Sequence, residues 1–262
     1  MASDLSPVAA IVRRHDPDRF LTALFAPAER RETLMTLYAF NHELARAREV
    51  VSQPTLALMR LAWWREVVDG ARRHHETATP LRAALDRGDL DGAELLALID
   101  AREMEAESSI PTLDAWRAYL LGSAGGLMVA AGRLLGAPEP EVLRPLGAAY
   151  GAAGMLRSTP VLAAQGRCLL PDDVLAAHGL SPEAAIAEPD GSPLHGVKAE
   201  LAREGRALLG EVRGLRFPRR AVAAVLPAVL ARRDLARIDV APMRRGLGDR
   251  LAVMTAALTH RM

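Results

Sequence analysis

Residues 28–51 repeat on the pitch of an α-helix. Leu34, Leu37, Tyr38, Asn41, Leu44, Ala45 and Arg48 recur at three- and four-residue spacing and share one face. Ser52 and Pro54 close that stripe. Pro54 opens the next helix, with Leu58, Leu61, Ala62, Arg65 and Val68 on one side and an expected end near Arg73. The same pitch returns along the chain, and Ala, Leu and Arg dominate while strand formers are scarce. Half of the 262 residues are hydrophobic and only 4% are aromatic, so the core is expected to be large and aliphatic. With no repeat, low-complexity tract or linker, these features predict an all-α fold, a single-domain helical bundle over 1–262.

The remaining elements follow from caps and breakers. A short helix is expected over 16–25, closed by Pro27, with 1–15 as a flexible lead. Others are expected over 91–107, from a Thr112 cap, over 139–162, 194–213, 218–237 and 242–260. Residues 184–193 read as a loop. Trp63 and Trp64 are adjacent, so they point about 100° apart, one into the core. Two runs of small residues, Gly122 to Gly126 and Gly147 to Gly154, are unfavourable in helix interiors. They imply either close helix approach or a break beside a cavity.

Charge and cysteine content exclude several classes. The net charge of +1 implies neither nucleic acid nor an acidic substrate. The single Cys168 excludes a disulfide framework and a cysteine zinc site, and fits a reducing, cytoplasmic setting. The first residues lack signal-peptide order, and the low-charge stretch 118–132 is short for a membrane span. Arginines gather towards the C-terminus (Arg213, Arg216, Arg219, Arg220, Arg232, Arg233, Arg237, Arg244 and Arg245). They read as a solvated surface, or alternatively as a peripheral contact with anionic headgroups of an inner membrane. The acidic strip Glu103, Glu105, Glu107 and the Asp172-Asp173 pair read as a solvated face and a helix N-terminus. His74-His75 reads as a polar helix end, and Cys168 as buried and inert.

The stretch Tyr38-Ala39-Phe40-Asn41-His42-Glu43-Leu44-Ala45-Arg46-Ala47-Arg48-Glu49 resembles the first signature of the squalene/phytoene synthase family. Leu146 to Pro171, with Gly147, Ala149, Leu156, Arg157, Arg167, Leu170 and Pro171, resembles the second. The resemblance implies an isoprenoid-synthase-like bundle with a central cavity, and carboxylates four residues apart on two helices. Such pairs share a face and hold the Mg²⁺ that neutralises a departing diphosphate. Here the matching positions carry Ala45 and Glu49 on the first helix, with Arg46 where a further acid often stands, and Ser158 and Leu162 on the second. Gly151 and Gly154 replace the preceding polar pair. The motif variants LYAFNHELA, EVVSQP and RLAWWR, with LRSTP and LPDDVLAAHGLS, are similar to the branch that contains a mitochondrial complex I assembly factor.

That branch implies a non-catalytic protein acting in assembly of respiratory NADH dehydrogenase, with complex I subunits or an isoprenoid or quinone-type lipid as partners. No metal and no cofactor is then expected. Candidate ligand contacts are Tyr38, Asn41, His42, Arg46, Glu49, Arg157 and Arg167, with Arg46 and Arg157 foremost for a headgroup. His42 reads more readily as a hydrogen-bonded structural histidine than as a ligand contact. The alternative is a prenyltransferase of isoprenoid (carotenoid or hopanoid) biosynthesis, using Mg²⁺ and a rearranged acid among Glu43, Glu49 and Asp69.

Overall fold

The computed structural model describes residues 5–51, 53–107, 109–212, 217–238 and 245–259. Its helices run α1 (Pro7–His15), α2 (Pro17–Ala23), α3 (Ala28–Glu49), α4 (Pro54–Val68), α5 (Ala78–Asp86), α6 (Gly92–Arg102), α7 (Leu113–Leu120) and α8 (Gly126–Leu134). Then follow α9 (Arg144–Arg157), α10 (Thr159–Ala164), α11 (Asp172–Ala177), α12 (Pro182–Ala187), α13 (Ser192–Gly210), α14 (Val222–Leu235) and α15 (Leu247–Thr259). Among the described residues there is no strand, only an isolated bridge between Ile110 and Pro171. The fold is the all-α bundle that the periodicity predicts.

The α3 stripe is buried: Leu34, Leu37, Tyr38 and Leu44 lie in the core, with Phe40 edge-on to Trp64 at 5.4 Å. Trp64 is the inward tryptophan, while Trp63 packs on the core's margin. α9 sits centrally, against α13, α14 and the segment before α8. One aliphatic cluster extends from Val8 to Ala257.

Several local expectations are corrected. Residues 7–15 are not a flexible lead: the Ser6 hydroxyl accepts from the Ala9 amide at 3.2 Å, Pro7 fits the first turn, and Val8 and Val12 are buried. α4 stops at Val68 rather than near Arg73, because Gly70 adopts φ +119°, open to glycine at little cost. His75 therefore begins a helix rather than ending one: its Nδ1 accepts from the Thr77 amide at 3.1 Å. The 184–193 loop shrinks, since Ser181 caps α12 and only the residues after Ala187 turn. The 139–162 helix is split at Ser158.

The 91–107 helix also changes. It tightens into a 3₁₀ turn at Glu103–Ala106, and this rotates the acidic strip. Glu103 remains outside, bonded to Arg65, whereas Glu105 is 7% exposed and faces the interior. Asp172 and Asp173 do begin α11, and Asp173 additionally accepts from the Leu113 amide at 3.1 Å, which ties α11 to the start of α7. Cys168 is buried, and burial raises its thiol pKa. Of the C-terminal arginines, Arg213, Arg216 and Arg244 lie outside the described residues. Arg233 and Arg237 bind Asp249, and Arg220 donates to the Gly136 carbonyl.

Candidate functional site

A cavity of about 930 Å³ opens between α2, the ends of α3 and α6, the α7–α8 segment, α9 and α15. Its volume falls in the range of small-molecule sites. Between α7 and α8 the helix widens into a π turn, Leu121–Gly125. Helix widening of this kind often marks functional positions. Here it carries Ser123 and Ala124 onto the cavity wall. The Ser123 hydroxyl is spent on the Tyr119 carbonyl at 2.6 Å.

The positions that the motif resemblance singled out on α3, α9 and α10 converge on this cavity. Ala45 and Glu49 line it from α3, and Gly151, Gly154, Ser158 and Leu162 from α9 and α10. Glu49 stands at the exposed end of α3, yet partial desolvation in the wall, and then Glu105, raise its pKa against the pull of Arg167, Arg102 and Arg46.

Two ion clusters floor the cavity. In the first, Arg102 donates to Glu105 at 2.5 Å, to the Tyr119 hydroxyl at 2.9 Å and to the Asn41 amide oxygen at 3.1 Å. Tyr119 donates to Glu105 at 2.6 Å, and Arg167 donates to its second oxygen at 3.2 Å. Burial alone would raise the Glu105 pKa. The Arg102 charge, the Tyr119 hydrogen bond and Arg167 instead hold it below the usual carboxylate value. In the second cluster, Arg245 bridges Asp18, at 2.6 Å, and Asp234, at 2.5 Å. Arg157 binds the same two carboxylates, at 3.6 and 3.0 Å. Beside it Arg19 binds Asp16 at 2.7 Å and lies over the Tyr150 ring, 4.7 Å from its centroid.

Of the residues expected at a site, Glu49, Arg157 and Arg167 line the cavity. Tyr38, Asn41, His42 and Arg46 are not part of its lining. Tyr38 is buried in the core with its pKa raised by desolvation. Asn41 reaches the cavity only through Arg102. His42 stacks on His15, a lining residue, with centroids 4.2 Å apart. Its Nε2 is buried without a hydrogen-bond partner, and burial, then His15 and Arg46, push its pKa down to about 4. Arg46, foremost among the expected headgroup contacts, instead pairs with Glu43 at 3.3 Å with its side chain 40% exposed, because its helix position turns it past the cavity edge. Glu43 and Asp69 also lie off the lining. Sequence reasoning missed Arg102, Glu105, Tyr119, Asp18, Asp234 and Arg245. The acidic strip was the one local signal, and Asp18 and Arg245 are 227 residues apart.

A divalent-metal cluster does not fit this donor set. Hard cations need several free oxygen ligands. Of Ala45, Glu49, Ser158 and Leu162 on the wall, Glu49 alone carries a carboxylate, and both oxygens of Glu105 are taken by Arg102, Tyr119 and Arg167. Among the described residues no group of three or more His, Cys, Asp or Glu side chains converges as ligands. No helix among them is long and apolar enough to cross a membrane.

Residues 12–255 match the sequence profile of the squalene/phytoene synthase family. The chain is 28% identical over 228 residues to the bovine (Bos taurus) protein named NADH dehydrogenase (ubiquinone) complex I, assembly factor 6, covering 84% of this chain and 68% of that one. It is 29% identical over 231 residues to the Rattus norvegicus protein of the same name, with the same coverage. Among solved structures, a ligand-bound dehydrosqualene synthase superposes with TM-score 0.76 at 14% identity, over 97% of this chain and 94% of that one. Squalene synthase HpnC from Alicyclobacillus acidocaldarius gives 0.65 at 18%, over 97% and 92%. These structures share the fold.

Proposed function

The chain belongs to the squalene/phytoene synthase family, and from that premise we propose that it is a non-catalytic member that serves the assembly of respiratory complex I, the NADH dehydrogenase. The observation that carries the reading is the cavity wall. Ala45, Ser158 and Leu162 line it, and they occupy three of the four positions that the motif resemblance matches to the family's acids. The deeper carboxylates are bound by arginines. A diphosphate held there would gain no metal to stabilise its departure. The names of the curated relatives support the assembly role. On this reading the partners are complex I subunits, met through the surface of the bundle, with the cavity kept for a ligand rather than a reaction.

The test has two arms. Purified protein is incubated with farnesyl and geranylgeranyl diphosphates, with and without Mg²⁺, and diphosphate release is followed. No release is expected; metal-dependent release would overturn the non-catalytic reading and favour prenyl transfer centred on Glu49. In the second arm the gene is deleted. Loss of assembled NADH dehydrogenase is expected, whereas intact complex with a missing isoprenoid product would overturn the assembly role.

A further inference from the structure

We propose that the cavity is a binding site for an uncharged long-chain amphiphile, an apolar tail ending in a hydroxyl or carbonyl, and that it discriminates against the corresponding diphosphate. The inference rests on the non-catalytic reading of the same cavity and names what the cavity would take.

Charge balance is the first ground. Among the described residues each guanidinium of the two ion clusters, and Arg19 beside them, already faces a carboxylate: Arg102 and Arg167 share Glu105, Arg157 and Arg245 face Asp18 and Asp234, and Arg19 faces Asp16. A multiply charged headgroup entering this site would compete with these carboxylates for the same guanidinium groups, and each pair it displaced would leave a buried carboxylate beside the incoming anion. Arg250, also lining the cavity, is exposed and outside these pairs, and the exposed Glu49 adds a further acid to the wall.

The hydrogen-bonding capacity left over is the second ground. Arg167 spends one of its donors on Glu105 and keeps others. Ser158 presents a hydroxyl on the wall. Glu49 lies on the same wall, its pKa raised by partial desolvation. Such a set suits a hydroxyl or a carbonyl oxygen. The rest of the wall is apolar, through Leu21, Leu24, Leu120, Met155, Leu162 and Leu230, and Leu24 is 45% exposed at the mouth, where a tail would enter.

The wall offers a clean way to close the site. Gly154 lines the cavity, and a Cβ placed there meets nothing within 4 Å. A leucine at this position would start its side chain in open cavity space, and a helix tolerates leucine better than glycine. The experiment uses the full chain and three probes: geranylgeraniol, geranylgeranyl diphosphate and a short-tailed ubiquinone analogue, each titrated by calorimetry without Mg²⁺. We expect the alcohol or the quinone to bind at least about tenfold more tightly than the diphosphate, and Gly154→Leu to weaken that binding by about tenfold or more. The thermal midpoint of the variant should not fall. Preference for the alcohol over the quinone would identify a hydroxyl headgroup, and the reverse a carbonyl one; both support the proposal. Diphosphate binding as tight as the alcohol, no binding of either neutral probe, or binding unaffected by Gly154→Leu would overturn it. All three leave the assembly role standing, since that is read from diphosphate release and from the deletion strain.

Discussion

The two halves of α9 meet very different surroundings. In the N-terminal half an added Cβ at Gly147 would stand 2.4 Å from the Ala124 carbonyl oxygen and 2.8 Å from both the Gly125 Cα and the Met128 Cβ. One turn on, at Gly151, it would stand 2.7 Å from the Ala124 Cβ. A further turn on, at Gly154, it would meet open space. These glycines and Ser158 fall on one stripe of the helix, so a single face passes from a packed seam into the cavity wall. The same residue type serves opposite ends. At Gly147 it lets two backbones touch, and at Gly154 it leaves volume for something else.

Substitutions can break this contrast or sharpen it. The largest effect is expected on the cavity floor. Glu105→Gln removes the charge that Arg102 and Arg167 share, leaving two buried cations without a counter-ion, and should cost about 3 kcal/mol in urea unfolding. The cavity is thus open in volume but not soft in structure. The Glu105 pKa is depressed in the fold, so its stabilisation is present above the ordinary glutamate value and is lost as pH falls through the folded value. The variant should show a flatter acid limb. An unchanged urea midpoint and acid limb would mean that the floor is not held by these pairs.

In the seam, Gly147→Ala should destabilise by about 2 kcal/mol, because the clash is with backbone that cannot turn aside. Gly154→Ala should stabilise by about 0.5–1 kcal/mol, since alanine is the better helix former and meets nothing. Opposite signs from one substitution on one helix are the sharpest form of the comparison. Equal signs in thermal melts would erase it.

The smallest effect concerns His42. Its pKa of about 4 lies below the ordinary histidine value, so it enters the fold neutral. As pH falls from about 6.5 to the folded value, the unfolded chain takes up a proton that the fold resists, and stability declines. His42→Phe keeps a ring against His15 and should flatten that slope, measured as the urea midpoint between neutral and acid pH. A slope unchanged from wild type would assign it elsewhere.

Much of the fold was legible from local pattern. The α3 stripe, the Thr112 cap and the Pro54 start all follow from spacing and capping chemistry, which act over a few residues. The site was legible in part. Glu49, Arg157 and Arg167 reached the cavity, and the two small-residue runs marked the right helices. Arg46 was misplaced because it shares the motif of Ala45 without sharing its face, and Glu105 because a run of alternating acids reads as solvated surface until a 3₁₀ turn rotates one of them inward.

By itself, then, the sequence determined an all-α chain with an aliphatic core, the family resemblance, and non-acidic residues at Ala45, Ser158 and Leu162. Those are properties of residue type and short-range spacing. The tertiary structure alone decided which glycine packs and which lines a cavity, and which arginine is matched by which carboxylate. Asp18 and Arg245 illustrate the reason. An ion pair needs only two charged groups within a few ångströms, and nothing local in a chain specifies a partner 227 residues away.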